Sequence, residues 1–276
     1  MKTAIVAIGK NEELYLDEWI TYHLNLGFDG IIFLDNNDLN NNLQKEICEK
    51  YEKVIYKNKQ SIKTLFNYNS GQATLQMQCY NEAFNEFRNA FDWFLFIDID
   101  EFLTLENHKN VNDFLMSFDS SINQIILNWK CYGDNNLVYY EPKPVMERFT
   151  KPYTNNTKYS QNFPENEVTK CFIKSSADLI QHRVHFALLS NSKTVDALGN
   201  KCSPDWRHRP IIHQNAYLKH YETKTIDEYI RRRILNKNCL NTQSPATAYK
   251  RLEWFFNANE HTPEKDSIYN FIKSKL

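Results

Sequence analysis

Three features of the sequence predict an α/β fold built on an open, mixed but mainly parallel sheet. Continuous apolar runs rich in branched residues occur at 3–9 ("TAIVAIG") and 30–37 ("GIIFLDNN"), the composition of strands covered on both faces. The stretch between them sets Leu14, Leu16, Trp19, Ile20, Tyr22, His23 and Leu26 at helical spacings and closes on Gly27, a C-cap residue. Strand, helix and strand in so short a span make a βαβ unit, and the alternation then continues.

The second helix is expected over 41–51 ("NNLQKEICEKY"), followed by a short strand at 53–58 ("KVIYKN"). A third helix, 73–89, gathers Leu75, Cys79, Ala83, Phe84 and Phe87 on one side and leads into a strand at 93–98 ("WFLFID"). Helices then lie on both faces of a Rossmann-like sheet. Further strands are expected at 123–133, 168–175 and 179–188, with a long polar loop over 147–167. From Thr223 onward the pattern is helical: Thr225 and Glu228 have capping-box spacing, and 244–259 forms a second helix of a C-terminal tail.

Composition narrows the function classes. The 276 residues suffice for one large core with an appendage, and 42% hydrophobic with 24% charged residues is ordinary for a globular chain. A formal net charge of -1 gives no global field toward nucleic acid or anionic lipid. The 6 cysteines are scattered without metal-ligand spacing, as expected of reduced thiols in a cytoplasmic protein. The opening "MKTAIVAIGKNEE" is too short for a signal peptide and runs at once into Glu12 and Glu13. No apolar stretch approaches the ~18 residues of a membrane span.

The most informative stretch is "FDWFLFIDIDEFLTL", where an apolar strand ends in Asp98, Asp100 and Glu101. Along a continuing strand Asp98 and Asp100 project to one side, and Glu101 faces away. Paired carboxylates need a cation, a shared proton or solvent. At the carboxyl end of a strand in an open α/β sheet, where ligands bind, oxygen donors suit Mg²⁺ or Mn²⁺ with substrate phosphates.

The "DID" with its following "EF" resembles the DxD motif of GT-A glycosyltransferases. In order, "KNEELYLDEWITYHLNLGFDGIIFLDNN", residues 72–81, "FIDIDEFL", "NWKCYG", "ERF" and "LKHYETKTIDEYI" are similar to glycosyltransferase family 92 and related family 2-like enzymes. The resemblance covers Thr3 to about Arg233, with Thr225 where the family pattern has serine. It implies a GT-A catalytic domain over 1–222, with a nucleotide-sugar part to about 105 and an acceptor part beyond it; 223–276 is a helical extension packed on the same domain. It also implies inverting transfer from a nucleoside-diphosphate sugar, UDP-sugar first, to a saccharide or lipid-linked saccharide in surface polysaccharide, lipopolysaccharide or glycolipid assembly. The setting is the cytoplasm or the inner face of the membrane, with no nucleic acid partner.

Under that resemblance Asp98 and Asp100 hold Mn²⁺ or Mg²⁺, Asp100 directly and Asp98 through water or toward the ribose. His220 joins the metal shell, ahead of His182, His185 and His213, and Lys224 offsets pyrophosphate charge. Asn11, Glu12, Asp35 and Gln72 fall where the nucleotide lies; Asp35 also has the composition of a turn former, and Glu12 of a helix cap. Asp134, Glu147 and Glu167 are the candidate general bases. Arg148 and Lys151 on the long loop are candidates for contact with the donor phosphates or an anionic acceptor. Trp254, Phe255 and Phe256 are expected to pack back on the sheet, the alternative being a membrane interface. The rival functions are another Mg²⁺-dependent phosphate enzyme, nuclease or phosphatase, and a sugar-binding homologue without turnover.

Overall fold

A computed structural model describes residues 1–60, 75–152, 165–235 and 245–259. The chain forms two compact units: Met1–Trp129 with Asn166–Lys219, and Lys130–Glu165 with His220–Leu276.

The first unit opens with β1 (Thr3–Gly9), α1 (Glu13–Asn25), β2 (Gly30–Asp35), α2 (Leu43–Cys48) and β3 (Val54–Asn58). The strands β3, β2 and β1 are parallel neighbours, with Ile5 opposite Ile31 and Ile32 opposite Ile55. After α3 (Leu75–Phe87), β4 (Trp93–Phe96) pairs in parallel with the other side of β1. This is the Rossmann-like α/β arrangement expected of the apolar runs. Two further elements, β5 (Glu101–Leu105) and α4 (Val111–Met116), precede β6 (Gln124–Cys131). The strand β7 (Thr169–Lys174) then inserts antiparallel between β4 and β6. The remaining strands are β8 (Leu179–His182), β9 (Ala187–Leu189), β10 (Thr194–Asp196) and β11 (Ala216–His220). The sheet order is β3-β2-β1-β4-β7-β6-β11-β5, with β10 on β6. Residues 179–188, expected as one strand, instead make the separate β8–β9 hairpin.

Alternation along the strands sends side chains to two buried faces. Ala4, Val6, Ile32, Leu34, Phe94 and Phe96 pack under Leu75, Cys79, Tyr80, Ala83 and Phe84 of α3. On the opposite face Phe172 of β7 meets Phe28 and Phe114 of α4, with ring centroids 6.3 and 5.9 Å away. At Gly9, the last residue of β1, a side chain would strike the Phe33 ring, 2.8 Å from an added Cβ. The edge strand β5 is bound by α1. Trp19 Nε1 donates to the Glu101 carbonyl at 2.8 Å and the Tyr22 hydroxyl to that of Leu103 at 2.7 Å. The Leu103 amide donates to His23 Nε2 at 3.3 Å. These side chains satisfy backbone groups that an edge strand leaves without a ladder partner.

The second unit is mostly helical: α5 (Val145–Arg148), α6 (Ile226–Tyr229), a π-helical turn (Ile230–Leu235) and α7 (Pro245–Ala258). The capping box read from sequence is formed, Thr225 accepting from the Glu228 amide and Glu228 from the Thr225 amide. Ile226, Tyr229, Leu252 and Phe255 form its core, with Trp254 and Phe256 partly buried against it. Phe255 therefore packs within its own unit. The five described cysteines are free thiols.

Candidate active site

The acids of "DID" stand in a turn and not along a strand. Strand β4 stops at Phe96, and the Glu101 amide donates to the Asp98 carbonyl at 3.1 Å, closing a turn over 98–101. Strand alternation therefore does not govern these residues, which corrects the reading that turned Glu101 away. Glu101 is fully buried, and its Oε2 accepts from the Asp98 amide at 3.3 Å. Asp100 is 3% exposed, and carboxylate oxygens of Asp100 and Glu101 lie within 4.8 Å of each other.

A lysine outside every sequence-based assignment completes the cluster. Because β7 runs antiparallel to β4, its first residues lie beside the carboxyl end of β4, Cys171 opposite Phe96. Lys170 thereby reaches the acids: its Nζ is 2.8 Å from Asp98 Oδ2 and 3.5 Å from Glu101 Oε1, with the lysine side chain wholly buried. Asp98 Oδ1 accepts from Gln76 Nε2 at 2.7 Å and the Tyr80 hydroxyl at 3.4 Å. Burial works against the charged Asp98, but the Lys170 ammonium outweighs it and holds the carboxyl below the ordinary range. Burial dominates at Glu101, whose carboxyl sits well above that range. The Lys170 ammonium, opposed by burial, is held protonated by Asp98 and Glu101.

The loops after β1 and β2 interlock. Asn11 adopts a left-handed φ of 57° and donates its amide to Asn37 Oδ1 at 2.6 Å. Glu12, 4% exposed, occupies the N-cap of α1 without a side-chain cap bond, and its amide donates to Gln44 Oε1 at 3.0 Å. Asp35 is fully buried and accepts from the Asn37 amide, Gln44, Tyr56 and Gln60 at 2.8, 2.6, 2.8 and 3.3 Å. A carboxylate with four donors pins its loop. Gln72 lies outside the described residues.

The other candidates are dispersed. In the first unit Glu167 is 4% exposed and ion-paired with Arg209. His185 Nδ1 donates to the Thr169 carbonyl and His213 Nε2 to that of Trp129, at 3.0 and 2.8 Å. His182 is buried against Phe96 and Tyr80. In the second unit His220 is 5% exposed, its Nδ1 3.8 Å from Cys131 Sγ. Lys224 is buried with a left-handed φ of 52°. Asp134 is buried and shapes its turn by accepting from the Asn136 amide at 2.9 Å. Glu147 is exposed on α5. Arg148, read as a phosphate contact, is instead spent on Glu228 in a buried two-point pair at 2.8 and 3.0 Å. Residues 153–164, most of the long polar loop, lie outside the described residues. Glu165, overlooked in the sequence, is pushed up to about 8 by burial and by Glu222.

A Rossmann-like sheet with buried carboxylates where β4 ends defines a class of nucleotide-binding enzyme folds. The model of glycosyltransferase family 92 matches residues 5–259, and the chain belongs to that family. It is thus a glycosyltransferase, which displaces the nuclease and phosphatase readings. No curated protein matches it. Among solved structures, 4-diphosphocytidyl-2C-methyl-D-erythritol synthase from Anaerococcus prevotii is 10% identical with a TM-score of 0.31, covering 63% of this chain and 71% of its own. That likeness is too slight to bear on function.

Proposed function

We propose that this glycosyltransferase moves a sugar from a nucleoside-diphosphate sugar, UDP-sugar first, to the hydroxyl of a saccharide or lipid-linked saccharide, with inversion. The observation that carries the proposal is the arrangement after β4: Asp98 held by Gln76 and Lys170, with Asp100 and Glu101 buried beside each other. The oxygen donors of such a set fit a hard divalent cation, Mn²⁺ or Mg²⁺. When bound, the ion would neutralise charge developing on the departing diphosphate.

Asp100 is the proposed direct ligand. Both oxygens of Asp98 already accept protein hydrogen bonds, which supports its acting through water or toward the ribose. His220 as a further ligand, and Lys224 as a phosphate contact, rest on the family resemblance. So do the nucleotide contacts of Asn11, Glu12 and Gln72; a contact through Asp35 requires one of its four donors to yield. For the base, the Arg209 pair disfavours Glu167, leaving Asp134 first and Glu147 second. The resemblance also supports surface-polysaccharide, lipopolysaccharide or glycolipid assembly in the cytoplasm or at the inner membrane face. Among the described residues no helix is long and apolar enough to cross a membrane.

The test is a panel of nucleotide sugars with Mn²⁺, reading nucleoside-diphosphate release and, by NMR, the anomeric configuration of the product. Release from one donor with an inverted product is the expected result. Absence of turnover with every donor and acceptor would favour a binding homologue that lost transfer.

A further inference from the structure

We propose that Lys170 is a resident counter-cation of the carboxylate cluster, weakening its hold on a divalent ion until a diphosphate supplies further negative charge. The inference rests on the metal reading above and deepens it.

A lysine with a wholly buried side chain is rare unless something demands it. Here the demand is visible: one ammonium lies between Asp98 Oδ2 at 2.8 Å and Glu101 Oε1 at 3.5 Å. With Gln76 and Tyr80 on Asp98 Oδ1, each Asp98 oxygen already has a protein donor. The cluster is therefore assembled and partly neutralised without an ion. A divalent cation entering between Asp100 and Glu101, whose carboxylate oxygens lie within 4.8 Å of each other, meets a unit positive charge fixed 3.5 Å from Glu101 Oε1, and repulsion there is worth at least about a factor of ten in affinity. A diphosphate offsets that repulsion. Lys170 is thus a positioning residue toward Asp98 and a brake on premature ion binding. A purely structural lysine would leave ion affinity unchanged or, by disordering the acids, would lower it when removed.

The experiment is titration of the full chain with MnCl₂, free Mn²⁺ being followed by EPR, alone and with UDP, GDP or CDP. Lys170→Met, confirmed folded by circular dichroism, is expected to bind Mn²⁺ alone at least about tenfold more tightly than wild type. Lys170→Arg, which keeps the charge, should remain weak, and adding Asp100→Asn to Lys170→Met should abolish the gain. Asp100-dependent binding that Lys170→Met leaves unchanged or weakens overturns the role given to Lys170. If Lys170→Met does not fold, wild type decides: Mn²⁺ alone must bind at least about tenfold more weakly than with the diphosphate the protein accepts, and equal affinity overturns the inference. No Asp100-dependent Mn²⁺ binding in any arm overturns the metal reading itself.

Discussion

Replacing His182 with Phe should stabilise the protein against acid. The imidazole is fully buried at the end of β8, its centroid 3.9 Å from that of Phe96 and 5.1 Å from that of Tyr80. Among the described residues neither ring nitrogen has a hydrogen-bond partner of good geometry, the Arg183 backbone giving only a weak one, whereas the backbone amide and carbonyl of His182 are both held by Asn81, at 2.9 and 3.3 Å. Burial therefore pushes the imidazole down to about 3. In the unfolded chain it takes a proton near 6.5, so between these limits the unfolded state binds a proton that the folded state refuses. Stability is full above the unfolded value and falls as the pH drops toward the folded one, by about 4–5 kcal/mol across the whole window. Phe keeps an aromatic ring in the slot, removes two poorly satisfied nitrogens and has no proton to bind. Stability at pH ~7 should be equal or higher by about 1 kcal/mol, and the gap should widen by about 3 kcal/mol on going to pH ~4. Urea unfolding of both proteins at several pH values measures this. Parallel stability curves, or a variant weaker by more than about 2 kcal/mol at neutral pH, would refute the reasoning.

Other perturbations reach different parts of the account. Arg148→Met strands the buried Glu228 carboxylate and should cost about 3–5 kcal/mol, part of it recovered in the double variant with Glu228→Gln; equal additive losses in a denaturation cycle would contradict a coupled pair. Since Phe255 is buried and its aromatic neighbours are partly so, the full chain should stay with soluble controls in flotation against anionic liposomes. Flotation lost on Trp254→Ala would revive an interfacial role.

Much of the fold was legible because its signals are local. The runs around Ile5 and Ile32 could only be doubly covered strands, and Thr225 with Glu228 is a cap whose bonds close within three residues. The acidic turn was harder. Its composition marks the site, but strand periodicity misplaces Glu101 because β4 ends at Phe96, two residues before the first acid. Lys170 depended on sheet order: only the antiparallel insertion of β7 brings position 170 beside position 98, although a lysine inside "VTKCFIKS" was a visible anomaly in an apolar strand. Arg148 and Glu228, 80 residues apart, carry no mutual signal at all, and a basic residue on a polar loop reads as free for phosphate until its partner is seen.

The central claim is that sugar transfer depends on an ion held by Asp100. With the donor identified from the panel, initial rates of nucleoside-diphosphate release should be compared for wild type and Asp100→Ala in Mn²⁺ and after chelation, both proteins being matched in folded content. The account predicts turnover by wild type with Mn²⁺ only, and a loss of at least about a hundredfold in Asp100→Ala that added Mn²⁺ does not restore. Equal turnover by the Asp100→Ala protein, or undiminished wild-type activity after chelation, would contradict it.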